Sequence, residues 1–210
     1  MSNVQAEERA PLSYRLLAVL SCPVVRLLFR PRVSGVEKVP SGGLVLSANH
    51  LSGFDTMALG YPLRRRWLRH MAKPQLFDRR LLGPLVRMLG GFPASGQAEA
   101  EPVTAATRLA RAGHVVVIMP EGARRRPDRV HRPRTGAARV ALGAGVPLVP
   151  AAIRGTDRAR RLARWEVSFG DQIPLDDLRG GDLVETARAT TERLWAAIQV
   201  LEQELDRRSG

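Results

Sequence analysis

His50 stands five residues before Asp55 in the segment Asn49-His50-Leu51-Ser52-Gly53-Phe54-Asp55, directly after the apolar run Leu44-Val45-Leu46. A strand that empties into a tight turn can bring an imidazole and a carboxylate together at one sheet edge. There Asp55 can accept a hydrogen bond from one ring nitrogen and leave the other free to take a proton. That pair is the base-and-orienter half of a Ser-His-Asp arrangement. The nucleophile need not come from the protein, because a substrate hydroxyl can fill that role. Asp55 also precedes Thr56-Met57-Ala58-Leu59, so a helix N-cap is the competing reading of this carboxylate. An isolated histidine-aspartate string arises often by chance and gains meaning only from its company.

Three further segments supply that company. Gly90-Gly91-Phe92-Pro93-Ala94-Ser95-Gly96 comes next in the chain. Met119-Pro120-Glu121-Gly122-Ala123-Arg124 follows the β-branched run that starts at Val115, and Val146-Pro147-Leu148-Val149-Pro150 comes last. In this order the four blocks resemble the glycerolipid acyltransferase family, the 1-acyl-sn-glycerol-3-phosphate acyltransferases. The pattern of that family is NHxxxxD, GxxxxxR, (F/V)PEGTR and VPxxP. The resemblance covers roughly residues 33 to 170.

The resemblance implies transfer of a fatty acyl group from a thioester, acyl-CoA or acyl carrier protein, to the hydroxyl of a lysophospholipid. The simplest such reaction converts 1-acylglycerol 3-phosphate to phosphatidic acid. It makes His50 the general base, Asp55 its orienter and Asn49 a further motif residue. Glu121, Gly122 and Arg124 then belong to the acceptor-binding wall, with Arg124 placed to pair with a phosphate. Arg134 stands where the family often has a lysine and is a candidate phosphate or headgroup ligand. The block from Val146 to Pro150 is expected to shape the fold and the acyl passage. No cofactor beyond the thioester co-substrate is implied, and no cluster of metal ligands is visible.

Two positions depart from the pattern. Gly96 stands where the second block should end in arginine, and Ala123 replaces the usual threonine. The missing arginine removes a charge-assisted contact to the acceptor's phosphate, of about 1.5–3 kcal/mol. Either another cation compensates, or the acceptor is a lysolipid without glycerol phosphate. Arg124-Arg125-Arg126 reads alternatively as a solvated arginine run.

Composition narrows the partners. The chain has 210 residues, 44% of them hydrophobic, enough for one domain with a sizeable core. Its 33 Lys+Arg against 20 Asp+Glu leave a net charge of +13, nearly all of it arginine. Such an excess suits an anionic partner, here a membrane surface carrying anionic lipid. A basic module without catalysis, binding nucleic acid or membrane, also fits the charge. The cations are not interleaved with aromatics, however, and such a module leaves His50 and Asp55 unexplained. The single Cys22 excludes an intrachain disulfide and fits a reducing compartment.

The elements that must position these residues read as an α/β domain. A mixed, largely parallel central sheet is expected, flanked by helices. Residues 1–32 are expected to form an N-terminal amphipathic membrane-surface helix. Residues 33–210 are expected to form the acyltransferase domain, with its motif core at 33–170 and a C-terminal helix at 182–208. The longest uncharged run near the N-terminus is Leu16 to Val25, against roughly 20 residues needed to span a bilayer. The expectation is therefore a peripheral protein on the cytoplasmic side of the cell membrane. Leu12, Leu16, Leu20, Val24 and Leu27/Leu28 form its apolar stripe, and Arg15, Arg26 and Arg30 reach headgroups. A helix packed on the protein's own core is the alternative. Lys73 to Leu89 reads as a helix broken near Gly83-Pro84. Val184, Ala187, Thr191, Leu194, Ile198, Leu201 and Leu205 form a one-sided stripe for packing on the domain.

Overall fold

The computed structural model describes residues 10–93, 100–125, 132–175 and 182–209. Seven strands form one sheet: β1 (Arg32–Ser34), β2 (Leu44–Ala48), β3 (Leu68–Ala72), β4 (Gly91–Pro93), β5 (Val115–Val117), β6 (Leu148–Arg154) and β7 (Glu166–Phe169). Their spatial order is β1-β7-β6-β2-β5-β3-β4. Every neighbouring pair is parallel except β6 with β7. This is the mixed, largely parallel sheet expected from the sequence.

Six α-helices are described: α1 (Leu12–Phe29), α2 (Asp55–Gly60), α3 (Leu82–Met88), α4 (Ala100–Arg111), α5 (Gly136–Ala144) and α6 (Leu183–Ser209). They cover both faces of the sheet. The central strands β2 and β5 are therefore buried along their whole length, with successive residues serving opposite cores. Leu44 and Leu46 of β2 join Val115 and Val117 of β5 against Val25, Ala58 and Leu59, on the side of α1 and α2. Val45 and Val116 point the other way, toward Ala106, Val140, Leu194 and Ile198 of α4, α5 and α6. From Ala187 to Leu205 the α6 stripe packs on the domain, with Leu194 and Ile198 fully buried, whereas Val184, expected in the stripe, is exposed in the first turn.

Because β6, β2, β5 and β3 run parallel, their C-terminal ends share one edge. Loops leaving that edge carry the residues picked out by sequence, as expected for open α/β sheets.

One expectation is corrected. Lys73 to Leu89 is not one helix broken at Gly83-Pro84. A short 3₁₀ turn spans Pro74–Leu76, and α3 begins only at Leu82. Pro84 therefore lies in the first turn of α3, where its missing N–H costs no hydrogen bond. α1 forms within the expected N-terminal segment. It runs unbroken through Pro23 for 18 residues, long and apolar enough by length and composition to cross a membrane.

One face of α1 packs on the protein core and the other is exposed. Tyr14 and Val25 are buried, and Phe29 stacks on Trp165 with ring centroids 3.9 Å apart. Leu12, Leu16, Val19, Leu20, Val24 and Leu27 are exposed. At 100° per residue these fall on the side away from Tyr14 and Val25.

His70 on β3 supplies a pH dependence. Burial pushes its imidazole down to about 4, and the neighbouring Arg69 charge acts in the same direction. An unfolded histidine titrates near 6.5, so the unfolded chain takes up this proton first. Stability is full above that value and is lost as pH falls from about 6.5 to about 4, by up to about 3 kcal/mol. Urea midpoints at pH 7 and pH 4.5 are expected to differ less for His70→Gln than for the parent. Equal differences would remove His70 from the acid response.

Candidate active site

The loop after β2 is built around the carboxylate of Asp55. This side chain is fully buried and has five donors. Its Oδ2 lies 2.7 Å from Nδ1 of His50 and accepts the N–H groups of Leu51 at 2.7 Å and Ser52 at 2.9 Å. Its Oδ1 accepts the Thr156 hydroxyl at 2.6 Å and the Ser52 hydroxyl at 3.4 Å. Asp55 is therefore not a conventional N-cap. It is the first residue of α2, and it turns back to tie the loop that precedes it. A carboxylate accepts only, so Nδ1 of His50 carries the proton and Nε2 presents a lone pair. The His50 side chain keeps 24% exposure, against 1% for Asp55. The imidazole is thus reachable from solvent while its carboxylate partner is sealed.

Thr156 was not singled out by sequence. It sits at the C-terminal end of β6, beside β2, so topology rather than spacing brings it to Asp55. Gly155 makes the turn: its φ is +85°, and a Cβ there would fall 2.0 Å from the carbonyl oxygen of Arg164. Only glycine fits that position without moving backbone. Asn49 works on the same pair of strands. Its buried amide donates to the Ile153 carbonyl at 2.9 Å and accepts the Ile153 N–H at 2.7 Å. It continues the β2–β6 ladder one step past the strand and fixes where the His50 loop departs.

Glu121 follows β5 on the other side of β2. Its Oε1 accepts the His50 N–H at 3.3 Å and Nε of Arg125 at 2.9 Å. Burial pushes the Glu121 carboxyl up from its ordinary value, opposed by the Arg125 charge and the His50 N–H. Glu121 thus holds the loop that carries His50. Arg125 is likewise no member of a solvated run, since its guanidinium bonds both Glu121 and Glu202. Arg126 lies outside the described residues, as do Gly96 and the end of the second block.

Gly122 has φ +69°, and a Cβ on it would meet Nε of Arg134 at 2.9 Å. A Cβ on Gly53 would lie 3.2 Å from Nη2 of Arg124. The two guanidinium groups therefore flank the loops that carry Glu121 and His50. Both are exposed, and neither pairs with a carboxylate among the described residues. His50, Asp55, Glu121, Gly122, Arg124 and Arg134 are gathered at one edge. Among the described residues, no group of three His, Cys, Asp or Glu side chains could hold a metal ion.

The His50, Leu51 and Ser52 N–H groups are taken by carboxylates. They are not left to receive an oxyanion, as the loop's position alone suggests. The arrangement can remove a proton from a hydroxyl and can bind an anion beside it.

Comparison with known proteins points the same way. A family model described as acyltransferase matches residues 30–154. The chain is 28% identical over 180 residues to a 1-acyl-sn-glycerol-3-phosphate acyltransferase of Bacillus subtilis, covering 83% of this chain and 89% of that one. It is 26% identical over 153 residues to a protein of the same description from Streptococcus pneumoniae, covering 68% of this chain and 55% of that one. The fold is similar to the crystal structure of the 1-acyl-sn-glycerophosphate acyltransferase of Thermotoga maritima. There the TM-score is 0.67 at 20% identity, over 90% of this chain and 77% of that one.

Proposed function

The chain belongs to the acyltransferase family, and on that premise we propose that it esterifies the free hydroxyl of a lysophospholipid with a fatty acyl group from acyl-CoA or acyl carrier protein. The acceptor is most simply 1-acylglycerol 3-phosphate, and the product phosphatidic acid. The observation that carries this reading is a sealed carboxylate with five donors holding a solvent-reachable imidazole, with two exposed arginines against the neighbouring turns at Gly53 and Gly122.

In this reading Nε2 of His50 takes the hydroxyl proton as the lysolipid oxygen attacks the thioester carbonyl. Asp55 stabilises the imidazolium that forms, and Thr156 holds Asp55 through the other carboxylate oxygen. Collapse of the tetrahedral adduct breaks the carbon–sulfur bond. The leaving thiolate then takes the proton back from His50. General-base assistance of this kind contributes about 10²–10⁴-fold. Arg124 and Arg134 bind the acceptor's phosphate in place of the arginine that Gly96 replaces.

The exposed stripe of α1 lies along an anionic membrane surface. Its opposite face packs on the protein through Tyr14, Val25 and Phe29. A helix held on one side in this way suits an interfacial position. Phe54, which flanks the catalytic loop, lies 5.9 Å from the same Trp165 that Phe29 stacks on. The C-terminal end of α1 therefore adjoins the loop that carries His50.

Gly96 favours a second reading, in which the acceptor is a lysolipid without glycerol phosphate. An acceptor panel with products identified by mass spectrometry separates the two. Phosphate-bearing lysolipids are expected to show the higher kcat/KM, and Arg124→Ala to lower it about tenfold to a hundredfold for them alone. Equal or better turnover of phosphate-free acceptors would overturn the phosphate assignment.

A further inference from the structure

We propose that the C-terminal helix α6 is part of the catalytic apparatus, acting through Glu202 and Arg125 to position the main chain of His50. The inference rests on the reading of His50 as the base.

Arg125 makes contacts in three directions. Its N–H donates to the His50 carbonyl at 2.7 Å. Its Nε donates to Glu121 Oε1 at 2.9 Å, the same oxygen that accepts the His50 N–H. Its Nη1 and Nη2 meet Glu202 Oε1 and Oε2 at 2.5 and 3.0 Å, a bidentate pair across 77 residues of chain. The guanidinium also lies over the Trp195 ring, 5.5 Å from its centroid. Both main-chain groups of His50 are thus held by the Glu121–Arg125 segment, and that segment is held by α6.

The far end is rigid. Leu194, Ile198, Leu201 and Leu205 bury one side of α6 against the sheet, so Glu202 is carried on an anchored helix. Burial works against the charge of Arg125, yet Glu202 and Glu121 hold its pKa above the ordinary value. The cation is kept for these two partners. A partly buried ion pair of this kind adds little net stability, because desolvation offsets its attraction. A bidentate guanidinium–carboxylate pair does fix geometry. Lysine cannot replace it, since one ammonium does not span Glu121 and both Glu202 oxygens.

The test uses the full chain with palmitoyl-CoA and 1-acylglycerol 3-phosphate, and compares Glu202→Gln and Arg125→Met with the parent. Glu202→Gln preserves shape at a rim position and should fold. Its kcat is expected to fall about tenfold, with KM for both substrates within about threefold and the thermal midpoint nearly unchanged. The double variant is expected to lose no more than Arg125→Met alone, because the two residues act in series. An unchanged kcat in Glu202→Gln, a kcat loss matched by loss of folded protein, or additive losses in the double variant would each overturn the proposal. His50→Ala run beside them separates the two claims. An active His50→Ala defeats the base itself, whereas an inactive His50→Ala with a fully active Glu202→Gln defeats only the α6 link.

Discussion

Replacing His50 by alanine is expected to lower acyl transfer by about 10²–10⁴-fold while leaving the fold intact. The side chain is a quarter exposed, and the loop around it is held by Asp55, Glu121 and Arg125 rather than by the imidazole. Alanine leaves Asp55 with four of its five donors, so the buried carboxylate stays satisfied. The loss should appear in kcat with little change in thermal midpoint. Retention of full activity would show that the proton is taken elsewhere.

Replacing Asp55 by asparagine is expected to be as damaging to transfer and more damaging to folding. An amide offers one oxygen where the site supplies donors on both sides. With that oxygen toward Leu51 and Ser52, the NH₂ faces Thr156, whose hydroxyl must turn to accept. With the amide reversed, two main-chain N–H groups lose their acceptor. Either arrangement costs about 1–3 kcal/mol of stability. The variant also lacks the negative charge that stabilises the imidazolium, and transfer is expected to fall by about 10³-fold. Urea unfolding and kcat/KM measured on the same preparation check both parts. A variant within tenfold of the parent would remove Asp55 as the orienter.

The His50–Asp55 pair was legible because the apolar run Leu44-Val45-Leu46 reads as a buried strand, and the pair follows the C-terminal end of β2. The same pattern exposed β5 and placed Glu121 at the same edge. The one-sided stripe of α6 announced its packing face, yet gave no sign that its flank reaches the site. Glu202 looks like any solvent-facing glutamate on a helix. Its partner Arg125 is hidden inside a run of arginines. Thr156 was out of reach for another reason: it lies 101 residues from Asp55, and only the placement of β6 beside β2 joins them. Gly155, with its positive φ just before Thr156, was the nearest available signal. At α1 the apolar stretch was legible as a helix, because Arg15 and Arg26 are exposed and interrupt composition without interrupting structure.

The family accounts for acyl transfer; the claim special to this account is that His50 takes the proton of the lysolipid's own hydroxyl. Thiol release from an acyl-CoA, measured with 1-acylglycerol 3-phosphate and with its 2-deoxy analogue, tests that claim most directly. Release is expected only with the hydroxyl-bearing acceptor, with one thiol per diacyl product and no acylated protein by mass spectrometry. Equal release with the deoxy analogue, or a protein that gains the acyl mass, would contradict it.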